Sequence, residues 1–455
     1  MSARSISEID SRKTQDTLAS LVLYGTFGLL LFGPLAFGAV EPWAIFLVEA
    51  GAAVLFLLWL CQQSLQGEIK ARGNPLFAPM ATFALLVAAQ LVFRISSYPH
   101  ETISLALLYL AYGVLCFLAS QSLLRGSQAR TLTVFFSVYG ATLASFALIQ
   151  GLASNGKLYW IRVPRMGGWI YGPYVNHNHY AGLMEMLVPV PLVLSLTHLA
   201  STRMRNLAAA AAAVMVGTVF LSGSRGGMLA IVAELLLLAV FLLKQKRGLR
   251  TAIGMGVFLA IVVGLLTWVG GTELSQRIAT LGAAHRELPS DIRFNINRDG
   301  LKMFLQKPLF GFGLGTFPVV YPHFRSFYTN FFVNEAHNDY LQLLVEMGAL
   351  GLLTMAWFVV LAYRTAIKKI GRWPSEIGGA TSLACVLGMS GILVHSTVDF
   401  NLQIPANAAL FYVLCTLAAS EPFVSPKRKR RVVQQGPAEE IPVAEELLQQ
   451  PATNF

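Results

Sequence analysis

Long apolar runs separated by polar connections recur along this chain from Leu18 to Phe423. Each run has about 20 residues, which is enough for a helix to cross a hydrocarbon core of about 30 Å. The pattern predicts an all-α integral membrane protein whose polytopic domain occupies residues 18–423. The twelve predicted membrane-spanning helices lie at 18–39, 43–62, 76–94, 103–123, 131–153, 179–200, 207–222, 227–243, 251–270, 340–363, 377–398 and 406–423.

Two of the polar connections are long, at residues 154–178 and 271–339. Long loops that are not disordered are usually functional. In the second loop, Arg293 to Gln306 has helical periodicity, and Lys307-Pro308 should end that helix. Gly311, Gly313 and Gly315 then predict a flexible turn; no strand precedes it, which argues against a dinucleotide-binding loop. The aromatic residues from Phe317 to Phe332 fit either an interfacial belt or a surface that stacks on sugars.

Basic residues give the orientation of the predicted helices. Of the 34 Lys and Arg residues, 22 fall on the side that carries both chain ends, residues 1–17 and 424–455. We expect the tail 424–455 to be disordered. The positive-inside rule makes that side the cytoplasm. Twelve basic residues remain on the opposite side, where we expect an anionic substrate to be handled. Most of them cluster in the two long loops: Lys157, Arg162 and Arg165 in the first, and seven residues from Arg277 to Arg325 in the second.

Several classes of function are excluded by composition. Most of the positive charge behind the net charge of +11 flanks the predicted helices on the cytoplasmic side. The basic residues form no stripe on a soluble module, so we expect no nucleic-acid partner. The four cysteines lie inside apolar runs without metal-ligand spacing, and the chain has no Asp-x-Asp sequence. We therefore expect neither a metal nor another cofactor.

Arg225 is the first candidate for chemistry. It lies in the turn Ser222-Gly223-Ser224-Arg225-Gly226-Gly227 between two apolar runs. A charged side chain so close to hydrocarbon is costly unless a partner or water receives it. The planar guanidinium suits two phosphate oxygens at once. The alternative is a structural arginine that caps a helix or pairs with Glu234.

His337 is the second candidate. It lies in Asn334-Glu335-Ala336-His337-Asn338-Asp339-Tyr340, at the start of the tenth predicted helix. An imidazole with a pKa near about 6.5 can take a proton from a sugar hydroxyl at neutral pH. Asn338, Asp339 or Glu335 could fix its tautomer. The alternative is a helix-capping cluster that merely includes a histidine.

Four segments together resemble one known family in order and spacing, the O-antigen ligase and O-antigen polymerase superfamily. The resemblance spans about residues 170–420, and Asn176-His177-Asn178-His179 also looks like a segment that opens a helix in part of this family. The chain departs from the family at Asn297, where a tryptophan is frequent. The four segments are Ser224–Gly227, Arg293 followed by Leu301–Phe304, Pro308–Gly313 and Ala336–Gln342.

The resemblance implies a large helical fold of the GT-C type in the bacterial inner membrane. Members move a glycan from undecaprenyl pyrophosphate to an acceptor hydroxyl on the periplasmic face, without a metal or a nucleotide sugar. The acceptor is lipid A–core for a ligase and a growing glycan for a polymerase, and a few relatives glycosylate protein serines.

The resemblance also assigns roles to residues. His337 would act on the acceptor hydroxyl, and Arg225, Arg293 and, with lower rank, Arg298 would bind the pyrophosphate. Supporting roles fall to Asn176, Asn178, His179, Arg165, Asn338, Asp339 and Asp399. The rival hypothesis is a flippase for the same lipid-linked glycans. A flippase needs polar groups near the bilayer midplane and often has repeated halves, whereas here the basic residues crowd one face and the acids within the runs are few: Glu49, Glu185 and Glu234.

Overall fold

The structure is a computed structural model that describes residues 3–164, 169–244, 290–330 and 332–420. Within those ranges the regular structure is helical, apart from two isolated bridges in the 154–176 region. The helices are α1 (Ala3–Leu35), α2 (Pro42–Leu65), α3 (Phe77–Val92), α4 (Pro99–Ser122), α5 (Gly126–Leu152), α6 (His177–Leu187), α7 (Pro189–Leu196), α8 (Thr202–Leu221), α9 (Arg225–Lys244), α10 (Ser290–Gln306), α11 (Phe317–Val320), α12 (Asp339–Ile370), α13 (Ile377–His395) and α14 (Pro405–Ala419).

The predicted class, an all-α integral membrane protein, is confirmed. Nine stretches of the described residues are helical, long and apolar enough to cross a membrane, and α3 and α14 are shorter apolar helices. The predicted span 251–270 and the tail 424–455 lie outside the described residues, so the count of twelve spans stays a prediction.

The predicted span 179–200 is two helices rather than one. α6 and α7 meet at Val188, and Pro189 and Pro191 follow directly. A proline has no N–H to donate and its ring clashes with the preceding turn, so a straight helix cannot continue here. Every residue of α6 is buried, mainly against α8, α9, α13 and α14. The first turn of α6 therefore opens inside the bundle.

α12 is broken at Gly348, whose φ of +67° is left-handed. A segment from the preceding loop, Lys307–Phe317, fills the break. The N–H groups of Ala349 and Leu350 donate to the carbonyls of Pro308 and Leu309, at 2.8 and 3.3 Å. A Cβ at Gly348 would lie 2.2 Å from the Leu309 oxygen, so only glycine fits this contact.

Two long polar side chains hold this docked segment, Lys307–Phe317, in the break. Gln90 of α3 donates to the Phe310 carbonyl at 2.6 Å and accepts from the Leu314 N–H at 3.1 Å. The Glu346 carboxylate accepts from the N–H groups of Gly315 and Phe317, at 2.8 and 3.2 Å. The glycine pattern predicted a turn here, and the structure shows that these glycines also allow close backbone approach in a hydrogen-bonded segment.

Candidate functional site

His337 lies beside a buried carboxylate. Its Nδ1 is 3.5 Å from Oδ1 of Asp399, and the two side chains are 13% and 2% exposed. Asp399 follows the end of α13, where its N–H donates to the His395 carbonyl at 3.1 Å. The ring of Phe400 meets the His337 ring edge-to-face at 4.8 Å. The imidazole is thus partly open to solvent on one side and held by an acid and an aromatic ring on the other.

The neighbours of His337 in the sequence have other partners. Asn338 caps α12, because its side chain accepts from the Leu341 N–H at 3.1 Å. Asp339 accepts from the Ser396 hydroxyl at 2.8 Å and from the Leu402 N–H at 3.1 Å. The Glu335 carboxylate accepts from the Gln342 side chain. The carboxylate that can fix the His337 tautomer is therefore Asp399, while Asn338 and Asp339 tie the start of α12 to the turn after α13.

His179 approaches the same site from α6. Its ring meets the Phe400 ring edge-to-face at 4.8 Å. The His179 carbonyl accepts from the Asn407 side chain of α14 at 2.9 Å. Asn176 caps α6 by accepting from the Asn178 N–H at 2.8 Å. Asn178 is buried in that first turn. The structure thus brings His179, Phe400, Asp399 and His337 together and assigns Asn176 a capping role.

The environment of Asp399 keeps its carboxylate charged. Burial by itself raises the pKa of this carboxyl, but the imidazoles of His337, His179 and His395 outweigh burial and lower the pKa below its ordinary value. The ionised Asp399 places a negative charge 3.5 Å from Nδ1 of His337.

Arg225 begins α9 and is exposed at the same end of the bundle. Among the described residues it forms no ion pair within 4.0 Å. The predicted alternative partner, Glu234, is buried deeper in α9 against Gly391 of α13. The glycines of this turn serve helix packing: a Cβ at Gly226 would lie 2.4 Å from the His395 ring, and one at Gly227 2.6 Å from Ala181.

The two loop arginines differ in where their side chains lie. Arg293 of α10 donates from Nη1 to the Val398 carbonyl at 3.4 Å, next to Asp399. Arg298 donates to the Ser326 hydroxyl at 2.8 Å and is exposed on another side of the helix. A regular α-helix separates residues five apart by about 140°, so both cannot point into one pocket. Arg293 is therefore part of the site's surroundings and Arg298 is not.

Of the predicted basic cluster in the first long loop, Arg165 lies outside the described residues. Arg162 is engaged elsewhere: its Nη2 is 2.6 Å from Oε1 of Glu41, and its guanidinium lies 4.2 Å from the centre of the Phe37 ring. These contacts join the loop to the connection between α1 and α2. Arg162 therefore has a structural role in the described part of the chain.

Sequence reasoning missed His395, the last residue of α13. Its Nδ1 is 3.0 Å from Oε2 of Glu185 on α6, and both side chains are about 1% exposed or less. The opposite edge of its ring packs on Gly226, and its carbonyl holds the Asp399 N–H. His395 thus links the helix start that carries Arg225 to the turn that carries Asp399. Its place four residues before Asp399 in an apolar helix was the available signal.

Nothing in the described parts of the chain resembles a metal centre, since no group of three or more His, Cys, Asp or Glu side chains could hold an ion there. The chemistry available at the site is that of an imidazole, a carboxylate and guanidinium groups.

Residues 210–356 match the family model described as O-antigen ligase. The matched region includes Arg225, Arg293 and His337, and it ends before Asp399. No curated protein matches the chain.

Proposed function

We propose that the chain belongs to the O-antigen ligase and polymerase superfamily, because residues 210–356 match the O-antigen ligase family model, and that it transfers a glycan from undecaprenyl pyrophosphate to an acceptor hydroxyl at the His337 end of the bundle. Family membership supports a membrane protein that transfers glycans. The geometry of His337 and Asp399 is the observation that supports a reaction at this place. The proposed location is the bacterial inner membrane, with both chain ends cytoplasmic and the site periplasmic.

The acceptor half of the reaction centres on His337. Its imidazole takes the proton of the acceptor hydroxyl while the oxygen attacks the anomeric carbon of the donor sugar. The nearby Asp399 carboxylate stabilises the imidazolium that results. Asp399 also fixes the tautomer, because an N–H on Nδ1 directed at Asp399 leaves Nε2 free to accept the proton. The partial exposure of His337 leaves room for a hydroxyl to approach.

The donor half of the reaction needs positive charge. The bond between the anomeric carbon and the pyrophosphate oxygen breaks, and the negative charge passes to the lipid pyrophosphate. Arg225 precedes Gly226, where an added Cβ would lie 3.0 Å from Val398, and Arg293 donates to the Val398 carbonyl, so both arginines lie near the Asp399 turn. A preorganised cation is worth most where charge develops, so these arginines lower the barrier to departure. The lipid pyrophosphate can then leave without receiving a proton from a general acid.

The proposal is tested by separating donor binding from transfer in purified protein. His337→Ala should reduce transfer at least about 100-fold while the affinity for an undecaprenyl-pyrophosphate glycan stays near that of the wild type, because general-base catalysis supplies about 10²–10⁴. Arg225→Lys and Arg293→Lys should weaken both donor binding and transfer, because lysine keeps the charge and loses the planar fork. Arg325→Lys, an exposed arginine of the same loop, is the matched control.

Two outcomes would overturn this assignment. Normal turnover in His337→Ala would show that the imidazole is structural. Donor binding and membrane translocation without any transfer product would favour the flippase. Offering lipid A–core and a lipid-linked repeat unit as separate acceptors distinguishes a ligase from a polymerase.

A further inference from the structure

The depth of the docked segment Lys307–Phe317 in the membrane follows from α12. This helix has 32 residues, about 48 Å of rise, against a hydrocarbon core of about 30 Å. Arg364 and Lys368 mark its end away from the site. Counting about 20 residues back from Arg364 reaches residue 344, and counting back from Lys368 reaches Gly348. Either count places the break at Gly348 at the hydrocarbon boundary or just inside it.

The docked segment lies at the same depth as the break. Leu309 accepts from the Leu350 N–H, so it lies level with a residue beyond Gly348. On the other side, Gln90 joins the Phe310 carbonyl to the last turns of α3. A stretch of the loop that hydropathy assigns to the aqueous side therefore reaches the membrane.

Non-helical backbone is tolerated at membrane depth only where its polar groups have partners inside the protein. Much of the backbone of the docked segment meets that condition. The N–H groups of Phe312 and Gly313 donate to the carbonyls of Val345 and Glu346, at 2.9 and 3.0 Å. The carbonyls of Phe312 and Leu314 accept from the Ser97 N–H and the Thr102 hydroxyl, at 2.7 and 2.8 Å. Together with the bonds from Gln90 and Glu346, this pairing is what a membrane-embedded loop requires.

The outward side of the segment is apolar. Leu305 and Leu309 are 66% and 60% exposed, and Val92 and Phe93 at the end of α3 are 74% and 73% exposed. On α12, Leu353 is 65% exposed and lies three residues beyond Leu350, which donates to the Leu309 carbonyl. This helix is long and apolar enough to cross the membrane. Large apolar side chains exposed together mark an interaction surface.

We propose that the lipid face formed by Leu305, Leu309, Val92 and Phe93 is embedded in the hydrocarbon of the leaflet that borders the site. Lys307–Phe317 is then a re-entrant segment, and it attaches the C-terminal end of α10 to the bilayer. Arg293 lies toward the other end of α10, where its guanidinium donates to the Val398 carbonyl. The proposal concerns the membrane contact alone and does not depend on glycan transfer.

The test measures the surroundings of a spin label at single positions in lipid nanodiscs. Leu305→Cys and Leu309→Cys are labelled with a nitroxide in a Cys61→Ser background, since Cys61 is the exposed native cysteine of the described residues. Leu353→Cys on α12 is the lipid-facing reference, and His323→Cys, exposed in the loop, is the aqueous reference. Relaxation by molecular oxygen reports lipid, and relaxation by a water-soluble nickel chelate reports water.

We expect the labels at 305 and 309 to resemble the label at 353, with strong relaxation by oxygen and several-fold weaker relaxation by nickel than at 323. Strong relaxation by nickel at 305 and 309 would place them in water and overturn the proposal. Weak relaxation by both reagents would also overturn it, because a second protein surface or a second copy of this chain would then cover the face. Loss of glycan transfer in a labelled variant leaves these readings unaffected, so the two proposals fail separately.

Discussion

The backbone at His337 adopts a left-handed conformation, with φ of +52°. Histidine is among the residues that tolerate this region, although the conformation still costs energy that its surroundings must supply. Ala336 before it is fixed through a hydrogen bond from its N–H to Gln342 at 2.9 Å, and Asn338 after it caps α12. The strained residue lies between two anchored ones, which aims its imidazole at Asp399.

At the residue scale, the contact between Gly226 and His395 gives a prediction. In Gly226→Ala the new Cβ would lie 2.4 Å from the His395 ring, so either α9 or the imidazole must move. Overpacking of this kind typically costs about 1–3 kcal/mol. We also expect transfer to fall, because the movement displaces Arg225, Asp399 or both. Thermal unfolding and turnover of the purified variant measure the two effects.

Gly217→Ala on α8 is the control for Gly226→Ala, because nothing lies within 4 Å of the added Cβ there. It should leave turnover unchanged and stabilise the helix by about 0.5–1 kcal/mol. If Gly226→Ala behaves like Gly217→Ala, the close approach of α9 to α13 is not a constraint on the site.

The sequence identified Arg225 and His337 as candidates from their positions, and the family resemblance added Arg293. It left the partner of His337 open among Glu335, Asn338 and Asp339. Short polar side chains next to a helix start often cap the helix or bond a neighbouring turn instead. Only the folded backbone shows that Asn338 and Asp339 are engaged in this way. Asp399 comes from another connection, so no local pattern joins it to His337.

At the element scale, one amide side chain makes several of the hydrogen bonds that hold the docked segment Lys307–Phe317. Gln90 makes hydrogen bonds to Phe310, Glu346 and Leu314, at 2.6, 2.8 and 3.1 Å. Gln90→Leu leaves these backbone groups without that partner in a low-dielectric setting, at a cost of about 1–3 kcal/mol for each. We expect a large loss of thermal stability and easier proteolysis between α10 and α12.

Thr82→Val is the matched control for Gln90→Leu, since it lies on the same helix and its hydroxyl donates only to Ala78 one turn earlier. It should change stability little. Equal melting temperatures for the Gln90 and Thr82 variants would contradict the role given to Gln90.

The long apolar runs predicted most helices, but they do not reveal where a helix is broken, as two breaks show. The break between α6 and α7 is visible in the sequence as Pro189 and Pro191, because proline has a fixed local effect. The break in α12 is hidden, because Gly348 stands within an apolar run and glycine alone does not end a helix. Its partner is the segment at Pro308 and Leu309, which is distant in the sequence.

At the scale of the whole molecule, the charge asymmetry predicts the orientation. Ser154 is exposed in the connection after α5, and Gln66 is exposed after α2, at the predicted cytoplasmic end. In a Cys61→Ser background, Ser154→Cys should react with an impermeant maleimide in whole cells, and Gln66→Cys only after lysis. Mass-tag gel shifts before and after lysis measure both.

The reverse labelling pattern would place the His337 end of the bundle in the cytoplasm and remove the proposed periplasmic reaction. The class of the molecule followed from hydropathy, and four short segments predicted the resemblance to the family whose model matches residues 210–356. The number of spans did not, because α3 and α14 are shorter than a full crossing and residues 251–270 lie outside the described residues.

The pairing of His337 with Asp399 also has a consequence for synthesis. Arg225 is made before His337, and Asp399 is made only after α13 has been completed. A nascent chain that has inserted everything up to α12 therefore carries an imidazole without its acid. The proposed pair is present only once the chain has been made beyond α13, so translation products that stop at α12 lack it.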